Sequence, residues 1–175
     1  TGQFAQHIDR TGGECDDKFA TEVIKQGGFE VIIAVDSGME LLYQMHIQPD
    51  IIVGDFDSVN DDEYKIIKDN SRELIKLNPV KDDTDLEHTL HFLEERGYKK
   101  ALIYGALGGR QDHNLLNIKL CLLSEISAVL MDSKHKIFSL AKGSYNIEKN
   151  DYRFLSLFAF EEAIVNLEGV KYPIS

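Results

Sequence analysis

The chain has 175 residues, with 30 acidic against 19 basic side chains and a formal net charge of −11. That length suits one full domain, or one domain and part of another. The charge repels nucleic acid and anionic membranes, so an anionic substrate has to be held by a metal ion or by local Arg and Lys.

Helical and strand patterns alternate along the first 132 residues. Asp16 to Gln26 carries Phe19, Val23 and Ile24 at helical spacing, with Gly27-Gly28 as the stop. The apolar run Val31 to Val35 reads as a strand, followed by a short helix from Met39 to about His46. Pro49-Asp50 breaks that helix and leads into a strand at Ile51. Asp61 to Asp69 reads as a polar helix and Glu73 to Leu77 as a short strand. Asp82 to Arg96 predicts a well-patterned helix, with Leu86, Leu90 and Leu93 on one face and Gly97 at its end. A strand from Ala101, a helix through Leu115, Ile118 and Leu122, and a strand at Ala128 to Met131 complete the series. Strands alternating with helices of this length predict an α/β fold, an open and mostly parallel sheet with helices on both faces.

The pattern changes after about Asp132. Ile137 to Leu140, Tyr145 to Ile147, Tyr152 to Phe160 and Ala163 to Leu167 are short strand-like runs separated by glycine, asparagine and charged turns. Two domains are expected: an α/β domain over 1–132, and over 133–175 a smaller antiparallel β-sandwich with too few strands to close. Thr1 to Arg10 is polar and makes a poor parallel strand. Cys15 and Cys121 form no metal or redox motif, and Cys121, in an apolar helical stretch, reads as a buried free thiol. No signal peptide or bilayer-length apolar run is seen, which predicts a cytoplasmic protein.

Three aspartate-bearing turns each follow an apolar strand-like run. They are Asp36-Ser-Gly38, Gly54-Asp-Phe-Asp-Ser58, and Gly105 with Gly108-Gly-Arg-Gln-Asp-His113. In an open α/β sheet the carboxyl ends of the strands line the ligand crevice, and carboxylates beside glycines there suit Mg²⁺ and phosphate. In an extended segment Asp55 and Asp57 point to the same side with Cα atoms about 6.6 Å apart, a spacing for sharing a divalent ion. The plainer reading is a polar turn capping the next helix. Asp82-Asp-Thr-Asp85 opens a helix, where Thr84 or Asp83 can serve as N-cap and the backbone N–H groups face outward. Arg110 can clamp a phosphate with its planar fork, and Asp112 can orient a metal-bound or attacking oxygen. His113 taken alone reads more readily as a packed histidine than a catalytic one. His88 and His91, three apart on one helix, lack a matching third ligand.

Asp36-Ser-Gly38, Pro49-Asp50, Gly54-Asp-Phe-Asp-Ser58, Asp82-x-Thr-Asp85 and Gly109-Arg-x-Asp-His113, in that order and spacing, resemble thiamine pyrophosphokinases of the bacterial type. The resemblance runs from about Gly12 to Ser175. It implies transfer of pyrophosphate from ATP to the thiamine hydroxyl with Mg²⁺, giving thiamine diphosphate and AMP. Carried over position by position, Asp55, Asp57 and Asp85 resemble the metal and phosphate-site acids, with Asp112 joining them in the catalytic group. Thr84, Arg110, Asp112 and His113 resemble nucleotide-binding positions, and Asp36 the acid beside the cleft. The family further implies a homodimer whose C-terminal sandwich helps form the thiamine pocket, with no nucleic acid or membrane partner. It also expects an apolar strand before the first glycine turn and further sandwich strands at the other end.

Two other readings compete. Ile51 to Val59 also resembles a haloacid-dehalogenase-type phosphatase motif, with Asp55 as nucleophile and Asp57 as acid. That motif usually sits on the first strand, whereas two elements precede it here. The other is a non-catalytic nucleotide- or thiamine-binding protein, against which the intact set of Asp55, Asp57, Asp85 and Arg110 argues.

Overall fold

A computed structural model of the chain describes residues 4–8, 16–36, 38–56, 61–77, 84–149 and 151–173. Its elements in order are β1 (Phe4–Ile8), α1 (Asp17–Gln26), β2 (Val31–Val35), α2 (Gly38–Gln44), β3 (Ile51–Gly54), α3 (Asp61–Asp69), β4 (Glu73–Lys76), α4 (Asp85–Glu95), β5 (Lys100–Tyr104), α5 (Gln111–Leu123), β6 (Ser127–Met131) and β7 (Lys136–Phe138). The strands form one sheet in the order β4-β3-β2-β1-β5-β6-β7. Neighbours are parallel throughout, except that β7 runs antiparallel to β6.

Strand alternation sorts the side chains into two cores. On β2, Val31, Ile33 and Val35 point to one face and Ala34 to the other, as the period of two requires. The first face is covered by Leu86, Leu90 and Leu93 of α4 and Cys121 of α5. The second is covered by Ala20 and Ile24 of α1, Leu41 and Leu42 of α2, and Ile67 of α3. Helices therefore lie on both faces, as the alternating pattern implied. The Cys121 thiol is buried, and that burial pushes its pKa up to about 12, so it stays protonated and packs as a small hydrophobe.

The order of winding fixes where a ligand crevice opens. From β1 the chain winds outward through β2, β3 and β4, then returns to place β5 on the other side of β1. The connections leaving β1 and β5 thus diverge, and the carboxyl ends of these two strands form the topological switch point. Tyr104, at the end of β5 and almost fully buried, donates from its hydroxyl to the Asp16 carbonyl at 2.8 Å. Its ring stacks on Phe19 with centroids 6.1 Å apart. These contacts tie the start of α1 to the same end of the sheet.

Two expectations are corrected. The polar N-terminal stretch does form a parallel strand: β1 sits at the centre of the sheet, paired with both β2 and β5. A central position satisfies the strand's backbone groups on both sides, a gain that side-chain polarity does not report. Lys136–Phe138, assigned from sequence to the second domain, is instead the edge strand of the α/β sheet. The chain accordingly divides into Thr1–Tyr145 and Asn146–Ser175. The strand-like runs of the smaller unit form no ladder among its described residues, which show one isolated bridge at Leu167. Their apolar side chains stand open to solvent, with Phe154, Phe158 and Ile164 at 81%, 85% and 96% exposure. Sandwich strands need a partner sheet to bury such faces, and the described residues of this unit supply none, in keeping with a sandwich that has too few strands to close.

Candidate active site

Asp36 ends β2 with a left-handed backbone, φ 45°, held by a hydrogen bond from its N–H to the Val53 carbonyl at 3.0 Å. Non-glycine residues enter that region at a cost, and Asp and Asn tolerate it best. The turn swings the Asp36 carboxylate across the neighbouring strand end. A methyl group on Gly54 would lie 2.7 Å from Asp36 Oδ1. Glycine at position 54 is therefore a cradle for this carboxylate, a role the sequence pattern had given only to a turn.

Asp55 follows directly and is half-buried. Phe56 after it is also left-handed, φ 58°, and its ring meets Tyr64 of α3 edge-on at 5.7 Å. That corrects the extended geometry assumed for Asp55-Phe-Asp57. The chain must turn from β3 toward α3, and the aromatic contact offsets the backbone cost. Asp57 itself lies outside the described residues.

Thr84 is the N-cap of α4, its hydroxyl oxygen accepting from Glu87 N–H at 3.2 Å, and Asp85 is the first helical residue. The capping reading of this motif is thus correct, and it puts Asp85 in the first turn, where a carboxylate favours the helix dipole. Since α4 follows β4, its N-terminus lies at the carboxyl edge of the sheet with Asp36 and Asp55. Pro49-Asp50 is at the opposite edge. There Asp50 accepts from Ile32 N–H at 2.9 Å and pairs with Arg72 at 3.1 Å, which makes it a staple between strand starts.

After β5 the loop turns through left-handed Gly105, Gly108 and Gly109, with φ of 86°, 99° and 66°, into Arg110 and α5. The Arg110 fork grips Asp112, Nε to Oδ1 at 3.1 Å and Nη2 to Oδ2 at 2.5 Å. Both side chains are largely exposed. His113, in the same helical turn, is half-buried. Counting strands from β3 through β2 and β1 to β5, the Asp55 and Arg110 elements leave the sheet about 14 Å apart, three interstrand steps. A polyphosphate with its nucleoside spans such a distance, so acids at one end and a cation at the other make chemical sense.

The donors at the β2 and β3 ends and at the start of α4 are all carboxylates, the chemistry a hard divalent cation takes. Among the described residues no group of three or more His, Cys, Asp and Glu is gathered as a metal site, and Asp57 stands outside that search. His88 and His91 line a groove of about 160 Å³ between α4 and the β3–β4 face, floored by Val53, Ile75 and Leu77. That groove is distinct from the carboxylate turns.

The Arg110–Asp112 pair has a measurable signature. The Arg110 hydrogen bond holds the Asp112 pKa down to about 2. Because the folded value is depressed, the pair is intact above the ordinary carboxylate range and is lost only as pH falls through about 2. Arg110→Ala should return Asp112 to the ordinary range, visible in its side-chain carboxyl NMR titration. Arg110→Lys keeps the charge but loses the fork, and should weaken binding of a phosphate ligand roughly tenfold. Unchanged phosphate affinity in Arg110→Lys would reduce Arg110 to a surface charge.

Residues 27–130 match the family model for the catalytic domain of thiamin pyrophosphokinase. The chain is 35% identical over 149 residues to thiamine pyrophosphokinase of Bacillus subtilis, covering 82% of this chain and 70% of that protein. It is 33% identical over 106 residues to thiamine pyrophosphokinase 1 of Oryza sativa, covering 57% of this chain and 40% of that protein. Superposed on the crystal structure of the Bacillus subtilis enzyme it gives a TM-score of 0.65, over 85% of this chain and 70% of the other. Identity in that structural alignment is 26%, lower than in the alignment made on sequence. A probable thiamine pyrophosphokinase from Staphylococcus saprophyticus superposes with a TM-score of 0.58 at 28% identity, over 77% of this chain and 67% of that one. The Asp55 motif follows the third strand, not the first, where a haloacid-dehalogenase-type phosphatase usually carries it, and the family match is to a different family. The chain belongs to the thiamine pyrophosphokinase family.

Proposed function

We infer that the chain is an ATP-dependent pyrophosphotransferase, moving the terminal pyrophosphoryl group of ATP to the hydroxyl of thiamine. The observation that carries this beyond family membership is the edge of the sheet at which Asp36, Asp55, Asp85 and Arg110 emerge, around the β1–β5 switch point. The thiamine oxygen attacks the β-phosphorus, the bond from that phosphorus to the α-phosphate oxygen breaks, and AMP leaves. The hydroxyl proton passes to a nearby base. Phosphoryl-type transfer asks a protein mainly for positioning and charge neutralisation.

Asp55, Asp57 and Asp85 would hold Mg²⁺, which when bound supplies the positive charge an acidic protein otherwise lacks for ATP. Arg110 takes phosphate oxygens, and Asp112 keeps its fork oriented until they arrive. Thr84 and His113 stand at the first turns of α4 and α5, where free N–H groups face a phosphate, and Asp36 reaches over Gly54 at the cleft. The α/β unit is the catalytic, ATP-binding part. We place the protein in the cytoplasm, where ATP is supplied; among the described residues no helix is long and apolar enough to cross a membrane.

We also infer a homodimer in which residues after about Lys134 contribute to the interface, supported by the exposed Phe154, Phe158 and Ile164. The reaction is tested by product analysis with ATP, Mg²⁺ and thiamine. AMP and thiamine diphosphate are expected, and ADP or free phosphate would refute the assignment. Light scattering at about micromolar concentration should give a dimer that Phe158→Asp and Ile164→Asp together convert to monomer. A monomeric wild type would remove the homodimer.

A further inference from the structure

Two polar side chains are buried among the described residues, Thr89 and Asn117. Thr89 is satisfied within its own helix, donating to the Asp85 carbonyl at 2.8 Å. Asn117 does something different. From the second turn of α5 its Nδ2 crosses to the carbonyl of Ala106, in the loop that follows β5, at 2.9 Å. It is 8% exposed.

That loop needs a tether. Three of its glycines, Gly105, Gly108 and Gly109, have positive φ, a backbone with more conformational freedom than any other residue would allow. Arg110, which closes the loop, serves as the N-cap of α5 without any side-chain capping bond. Ala106 and Leu107 bury their side chains in the core, and the Asn117 amide fixes the orientation of the peptide between Ala106 and Leu107. A buried carbonyl that loses its donor pays its full desolvation cost and turns to find another. Here it would turn at the base of the segment that aims Arg110.

We propose that Asn117 is a positioning residue for ATP use, holding the Gly105–Arg110 loop in the geometry that presents the Arg110 fork to phosphate. The inference rests on the reading of Arg110 as a phosphate clamp. In this role Asn117 acts through the Ala106 carbonyl, 2.9 Å from its Nδ2, and not by contact with substrate.

The test is a double-mutant cycle in the full chain, with KM for ATP and KM for thiamine measured separately. Asn117→Leu, which keeps the number of heavy atoms and the branch point but removes the donor, should raise KM for ATP roughly tenfold while leaving KM for thiamine unchanged. In an Arg110→Ala background the same substitution should add almost nothing, because the group it aims is gone. Fully additive effects would overturn the proposal, as would an unchanged KM for ATP in Asn117→Leu. A wild-type KM for ATP in Arg110→Ala alone overturns the clamp reading itself, which separates the two failures.

If Asn117→Leu does not fold, Asn117→Asp decides the question. Its shape is the same, but only the protonated acid can donate to the carbonyl, and burial raises its pKa. KM for ATP in Asn117→Asp should therefore recover toward wild type as pH falls from about 8 to about 6, relative to wild type measured in parallel. A KM ratio that is flat with pH would mean Asn117 only fills space, and the proposal fails.

Discussion

Asp55→Asn is expected to lower turnover roughly a thousandfold, about 4 kcal/mol of transition-state stabilisation, while the protein still folds. The carboxylate stands immediately after β3, half-buried, with Gly54 before it and the left-handed Phe56 behind. Asparagine keeps the size and one acceptor oxygen but removes the charge that Mg²⁺ requires. The loss should shrink as Mg²⁺ is raised, since part of it is weakened metal affinity. The measurement is a steady-state rate across a Mg²⁺ titration, with circular dichroism to verify the fold. Asp57→Asn should behave in the same way. Wild-type turnover and metal dependence in either variant would remove that residue from the metal site.

Gly54→Ala is expected to cost about a hundredfold in turnover, the scale on which a misplacement of about 1 Å acts in an active site. Backbone conformation is not the obstacle, for Gly54 is not among the positive-φ glycines. The obstacle is the added methyl, whose position lies 2.7 Å from Asp36 Oδ1. Something must move, and the Asp36 carboxylate is nearest. The ring of Phe56, at 3.5 Å, is only in ordinary contact. Overpacking of this kind destabilises by about 1–3 kcal/mol, so melting temperature should fall modestly while activity falls steeply. The decisive comparison is made in an Asp36→Ser background, where the methyl has room. If Gly54→Ala remains equally harmful there, the contact with Asp36 is not what the glycine protects.

Much of this site was legible in the residues alone. The turns after Val35, Val53 and Tyr104 each join an apolar run to glycine or aspartate, and all three sit at the carboxyl edge of the sheet. Thr84 was legible as a cap because capping is local, requiring only a hydroxyl three residues before a free N–H. Asn117 was not legible: its partner, Ala106, is 11 residues away across a glycine loop. The cradle at Gly54 was missed for the same reason, since Asp36 comes from a different strand. Asp50 looked like part of the functional motif, but its bonds to Ile32 and Arg72 belong to the far edge.

Local pattern was enough for the elements between Asp16 and Gly97 and for their buried faces. Periods of 3.6 and 2 are properties of single segments, so Leu86, Leu90 and Leu93 declare a buried helix face and Val31, Ile33 and Val35 a buried strand face before any partner is known. Strand order was decided only in three dimensions. β1 became the central strand because β2 and β5 both needed a parallel neighbour there, and β7 joined the sheet because the edge of β6 was open to it. Hydrogen-bond partners between strands carry no local signature in side-chain pattern; they are settled by what packs and pairs once the helices have taken both faces.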